Sequence, residues 1–137
     1  MRTLAIDFGQ RRVGLALSDP TGFLAQALQV IERQSDGQVA ADIAVICRDR
    51  EVEEIVLGHP RLLSGEVGMR AKQVEKFAQL LKRHVDLPIR LFDERLTTVS
   101  AERVLIEADM KRKKRKQVID AVAATILLQT YLDAQSH

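Results

Sequence analysis

The sequence predicts an α/β layered domain, a mixed five-stranded sheet with helices on both faces. Three observations carry this. The first 31 residues read as three extended segments separated by tight turns. Two further apolar strands then alternate with amphipathic helical stretches. Strands joined through helices are parallel and linked by right-handed crossovers, whereas the opening segments are close enough to pair as an antiparallel meander.

Continuous apolar residues mark 3–8 as the first strand. Gly9-Gln10-Arg11 turns the chain into a second strand over 12–18, and Asp19-Pro20-Thr21-Gly22 is a strong turn signal before a third over 24–31. Ser35-Asp36-Gly37-Gln38 reads as a capping box opening a helix whose apolar face is Val39, Ile43, Ile46 and Cys47. A short strand over 54–57 is expected to end at Gly58-His59-Pro60. A helix over 69–83 places Val74, Phe77, Ala78 and Leu81 on one face, and Pro88 opens a strand over 89–93. Helices over 99–108 and 117–132 complete the order.

The 137 residues suit one domain spanning 1–137. With 46% hydrophobic residues the chain can build a core without a metal or disulfide staple, and disorder is excluded. No apolar run reaches the roughly 18 residues of a membrane span, so no membrane association is expected. The acid at position 7 interrupts the N-terminal apolar stretch, which argues against a signal peptide, and the expected compartment is the cytoplasm. A lone cysteine, Cys47, excludes an internal disulfide and a Cys-rich zinc site, and its place on an apolar helix face reads as core.

The net charge of +2 hides an asymmetry. Lys111, Arg112, Lys113, Lys114, Arg115 and Lys116 are consecutive; without them 15 basic residues face 19 acidic ones, a net of −4. A local contact for a polyanion and a solvated loop of like charges both fit the run. The aromatics are not interleaved with bases, which favours recognition of backbone and shape over base stacking.

Three acidic positions stand out. Asp7 sits near the end of the first strand, where a buried strand is normally apolar. Asp93-Glu94 ends the last strand, and alternation lets only one of the two face a given site. Asp120 is expected in the first turn of the last helix, where the dipole favours an acid; the small residues Ala121, Ala123 and Ala124 beside it would allow close approach to the sheet. A strand-end cap, a salt bridge to Arg12, a surface ion pair with Arg95 and a dipole acid are the respective structural alternatives. Together, two acids at carboxyl ends of strands and one on an adjoining helix suit a hard oxygen-ligated cation, Mg²⁺ or Mn²⁺, one ion or two about 4 Å apart.

The series Asp7-Phe8-Gly9-x-x-Arg12-x-Gly14-x-Ala16, Gly58-x-Pro60, Asp93-Glu94-Arg95-Leu96-Thr97-Thr98 and Asp120-x-x-Ala123-Ala124-x-x-Leu127 resembles the YqgF/RuvX family over nearly the whole chain. The resemblance implies a ribonuclease H-like fold and a metal-dependent nuclease. Its substrate would be structured RNA, the 5′ region of precursor 16S rRNA in ribosome biogenesis. The near alternative is a Holliday junction resolvase cutting branched DNA, which would act as a homodimer. The resemblance further implies Asp7, Glu94 and Asp120 as catalytic metal ligands, with Arg12 and Arg95 as phosphate-side or orienting residues and 111–116 as a nucleic-acid contact. His59 departs from the family's apolar residue at that position and is read as a tolerated variant.

Two readings from other classes compete. A non-catalytic RNA-binding assembly module would use the basic run and have no need of three acids. A nucleotide phosphotransferase of the actin-like type would need two such domains, more than 137 residues supply.

Overall fold

The computed structural model describes residues 1–60, 64, 67–94 and 121–135. Five strands, β1 (Thr3–Phe8), β2 (Arg12–Ser18), β3 (Ala25–Glu32), β4 (Glu54–His59) and β5 (Ile89–Asp93), form one sheet ordered β3-β2-β1-β4-β5. β3, β2 and β1 pair antiparallel, and β1, β4 and β5 run parallel. The mixed sheet read from the sequence is therefore present. Three helices are described: α1 (Asp36–Asp49), α2 (Met69–Leu81) and α3 (Val122–Gln135). The helix expected over 99–108, the basic run 111–116 and the expected start of the last helix at 117–120 lie outside the described residues. No helix among the described residues is long and apolar enough to cross a membrane.

The turns form as their residues dictate. Gly9 donates its amide to the Arg12 carbonyl at 3.1 Å, and a Cβ on Gly9 would overlap that oxygen, so glycine alone closes this turn. Between β2 and β3 the Asp19 carboxylate accepts from the amides of Phe23 (2.9 Å) and Leu24 (3.1 Å) and from the Thr21 hydroxyl, while Gly22 takes φ +81°. At α1 the Ser35 hydroxyl accepts from the Gln38 amide at 3.1 Å, but Gln38 Oε1 accepts from the Gln34 amide rather than from that of Ser35. The cap is thus displaced by one residue from a strictly reciprocal box.

Alternation along β1 divides the interior in two. Leu4, Ile6 and Phe8 join Val13, Leu15, Ile55 and Leu57 against α1 and α2, with Phe77 of α2 stacked on Phe8 at 4.2 Å. Ala5, Ala16 and Val56 face the other way, against Ala124, Leu127, Leu128, Tyr131 and Leu132 of α3. Small residues on both sides, Ala5 and Ala16 on the sheet and Ala124 on the helix, let α3 lie close to β1 and β2. Ala121 and Ala124 are buried as expected, but Ala123 points outward and takes no part in that approach.

Expected boundaries move at four elements: β3 spans Ala25–Glu32 rather than 24–31, α3 runs to Gln135 rather than 132, and β4 and α2 shift as well. β4 runs on to His59, because Gly58 and His59 still pair with Phe92 and Asp93 of β5. α2 stops at Leu81 instead of continuing to residue 83. Cys47 is buried on α1, and burial pushes its thiol up to about 11, which keeps it inert.

The direction of α3 is fixed at the amino ends of the parallel strands. There the Glu54 carboxylate, 7% exposed, accepts from Tyr131 (3.0 Å), Arg90 (2.7 Å) and Thr3 (3.2 Å). Gln129 accepts from the Ala25 amide and donates to the Phe23 carbonyl, both at 3.0 Å. With its C-terminal half tied here, α3 begins at the carboxyl ends of β1 and β4. Ala124 is fully buried against the sheet and packs with Ala5 and Ala16. Ala124→Leu should destabilise the protein by about 1–3 kcal/mol through overpacking. Urea unfolding would show the loss; an unchanged midpoint would mean that α3 does not lie so close.

Candidate functional site

Asp7 is the only residue of β1 that is not fully buried. Its side chain lies on the α3 face, two residues after Ala5. Both neighbouring strands are bare beside it. Across β2 its partner is Gly14, and on β4 the residue following the Ile6–Leu57 pair is Gly58. An acid flanked by glycines on both sides has room in front of it that any side chain would fill.

Glu94 occupies that room. It follows the last residue of β5 and forms a hydrogen bond with Asp7 across Gly58. A Cβ on Gly58 would overlap the Glu94 carboxyl, so this glycine serves as its seat. Alternation allowed one of Asp93 and Glu94 to face the site, and Glu94 does so, while Asp93 pairs in register with His59.

Burial raises the proton affinity of both carboxyls, and Asp7 raises that of Glu94 further. Burial, then the charge of Asp7 and the hydrogen bond to it, push Glu94 up to about 7. Burial raises Asp7 as well, although the hydrogen bond from Glu94 and the charge of Arg70 pull it down. The pair thus holds a proton on Glu94, which donates to the Asp7 carboxylate. Two hard oxygen donors that burial has deprived of water, and that repel once both ionise, suit a divalent cation of the Mg²⁺ or Mn²⁺ type. Among the described residues no three His, Cys, Asp or Glu side chains gather closely enough to hold an ion.

The remaining candidates are placed as follows. Arg12 is half-exposed and pairs with Glu32 across β2–β3 at 3.4 Å, an arrangement worth little at such exposure. Asp120, Arg95 and Lys111, Arg112, Lys113, Lys114, Arg115 and Lys116 lie outside the described residues. His59 is 4% exposed, and its Nε2 lies 2.9 Å from Glu75 Oε2, tying the end of β4 to α2. Two contributors were not legible as such in the sequence. Arg70, on the first turn of α2, acts electrostatically on both carboxyls. Arg33 braces the turn after Asp7: it donates to the Gly9 carbonyl at 2.9 Å and lies 4.0 Å over the Phe8 ring.

A five-stranded mixed sheet in the order β3-β2-β1-β4-β5, with helices on both faces, has the architecture of a ribonuclease H-like fold. Comparison of known structures agrees. The fold matches Thermus thermophilus RuvC in complex with a Holliday junction substrate at a TM-score of 0.66, with 15% identity over 99% of this chain and 96% of that one. It matches the fowlpox virus resolvase, solved with Holliday junction DNA, at 0.62, with 11% identity and full coverage of both chains. At such identities the likeness is one of fold. In sequence, a family model described as "RuvX: Holliday junction resolvase" matches residues 1–134. A protein of Clostridium botulinum (strain Hall) named "Putative pre-16S rRNA nuclease" is 46% identical over 136 residues, covering 99% of each chain. One of the same name from Halothermothrix orenii is 47% identical over 136 residues, covering 99% of this chain and 97% of its own. The chain belongs to the RuvX family.

The raised carboxyl has a consequence for stability. A carboxyl whose folded value lies above its unfolded value favours folding fully below the unfolded value, 4.5 for Glu94, and that contribution is lost as pH rises through about 7. The metal-free protein should therefore lose stability between pH 5 and pH 8. Glu94→Gln should flatten this slope and raise Tm at pH 8. Thermal unfolding in EDTA across that range tests it; equal slopes for both proteins would contradict the account of the pair.

Proposed function

We propose that this protein is a divalent-cation-dependent nuclease that hydrolyses phosphodiester bonds in structured RNA, with the 5′ region of precursor 16S rRNA as its substrate. The observation that carries this reading is the Asp7–Glu94 pair, two carboxyls held together over Gly58 at the strand ends. The names of the close relatives supply the substrate class.

In this reading Asp7, Glu94 and Asp120 hold one or two Mg²⁺ or Mn²⁺ ions. Asp120 immediately precedes Ala121, which is buried at the end of α3 nearest the carboxyl ends of the strands. When bound, such a cation supplies Lewis-acid activation of a water and stabilises charge on the leaving oxygen. The chain's own contribution is positional. Asp7 is fixed by a strand paired on both sides, with Gly14 as its partner on β2 and Gly58 on β4 seating Glu94 beside it. Glu94 gives up its proton to become a ligand. Arg12 and Arg95 orient the phosphate side, and the run 111–116 holds the nucleic-acid backbone. One domain, 1–137, carries the whole activity, and the cytoplasm is the compartment its substrate requires.

A second reading is favoured by the description of the family model and by the junction-bound relatives in fold: resolution of four-way DNA junctions, which requires a homodimer because two strands are cut. A non-catalytic assembly module is disfavoured, since it has no use for two buried carboxyls that repel once ionised.

Both nuclease readings are tested by incubating the protein with Mg²⁺ or Mn²⁺ and two labelled substrates, a precursor 16S 5′ leader and a four-way DNA junction. Wild-type protein should cut the leader, and Asp7→Asn, Glu94→Gln and Asp120→Asn should each lower the rate by at least about 100-fold. Cutting of the junction alone would select the second reading. Cutting of neither substrate would contradict both. In the same assay, exchanging the six bases 111–116 for neutral residues should weaken substrate binding and flatten its dependence on salt. An unchanged slope would make the run a solvated loop.

A further inference from the structure

A cation at the start of α2 acts on the candidate centre. α2 follows β4, and in a strand–helix crossover the helix begins at the carboxyl end of its strand. Arg70 is the second residue of α2, so the topology brings it to the edge where Asp7 and Glu94 meet. The helix beneath it is firmly seated. Ala71, Val74, Phe77, Ala78 and Leu81 are buried, and Glu75 is bonded to His59 at the end of β4. Arg70 itself is exposed, so its head group is free to reorient while its Cα stays in place.

Arg70 lies near enough for its single positive charge to act on both carboxyls. One guanidinium thus balances only part of the charge that two carboxylates carry. A divalent cation between the carboxylates would complete the balance and repel Arg70. A guanidinium displaced in this way, at the rim of a site that cuts phosphodiesters, meets the phosphate as its next anion. Its planar fork suits two phosphate oxygens better than an ammonium does.

We infer that Arg70 is a substrate-binding residue of this centre: counter-ion to Asp7 and Glu94 in the free protein, it contacts a non-bridging oxygen of the target phosphate in the substrate complex. The inference rests on the nuclease reading above. It gives the residue two opposed effects, competition with the metal and assistance to the substrate, which a merely structural residue would not combine.

The test uses the full chain and four proteins: wild type, Arg70→Ala, Arg70→Lys and Lys72→Ala. Lys72 is exposed and lies two positions along the same helix, turned away from Arg70. Mn²⁺ affinity is measured by calorimetry without substrate, and kcat/KM with whichever labelled substrate the wild type cuts. Arg70→Ala should bind Mn²⁺ about three- to tenfold more tightly, because a competing charge has gone. Its kcat/KM should fall about 100-fold. Arg70→Lys should keep the wild-type Mn²⁺ affinity and recover part of the rate, and Lys72→Ala should match wild type in both. Unchanged or weaker Mn²⁺ binding by Arg70→Ala, or a kcat/KM within twofold of wild type, would overturn the inference while leaving the nuclease reading intact. A wild type that binds Mn²⁺ but cuts neither substrate would overturn the nuclease reading and the phosphate contact with it.

Discussion

Two carboxyl groups that lose water on folding, and repel once both ionise, are held face to face at the end of a sheet. Nothing in the economy of folding favours this arrangement: burial raises both acids, and Asp7 pushes Glu94 further, to about 7. The surrounding structure makes it possible. Gly58 gives up its side chain so that Glu94 can sit, and Gly14 is the partner of Asp7 on the opposite flank. Phe8, the residue after Asp7, anchors the strand end by stacking on Phe77, with Arg33 on its ring. The cores on the two faces, one under α1 and α2 and one under α3, hold β1 between β2 and β4 so that Asp7 cannot withdraw.

The opposite end of the same sheet shows what a structural buried acid looks like here. Glu54 is at least as deeply buried as Asp7, but its oxygens accept from a tyrosine, an arginine and a threonine. Every donor has an acceptor, and the result is a clasp that ties α3 to the strands. At the carboxyl end an acid is set against an acid. The contrast between the two ends separates an acid that serves the fold from acids that cost the fold and so serve something else.

Much of this was legible in the sequence, for identifiable reasons. β1 and β2 follow from continuous apolar runs, and the turns at Gly9 and at Asp19–Gly22 follow from residues that tolerate little else. Asp7 stood out because it interrupts an otherwise apolar strand. The limits are equally physical. Gly58 reads as the end of a strand because glycine usually weakens one, whereas here it stays in the ladder and makes space for a side chain 36 residues on. Ala123 looked like part of a small-residue face because helix phase cannot be fixed to one residue by eye. His59 looked like a tolerated variant; its bond to Glu75 depends on how α2 packs, which its own neighbours in the chain do not encode. The action of Arg70 on Asp7 is not legible for the same reason, since that relation exists only once β4 and α2 are in place.

In the proposed mechanism Asp7 and Glu94 form one shared proton site that a divalent cation would take over. The most direct test is to follow the two side-chain carboxyl carbons by ¹³C NMR through a pH titration, first in EDTA and then with Mg²⁺. The account predicts that without metal Glu94 titrates near 7, that Asp7 responds in the same step, and that Mg²⁺ abolishes this step. Two independent titrations in the ordinary carboxylate range, unaffected by Mg²⁺, would contradict it.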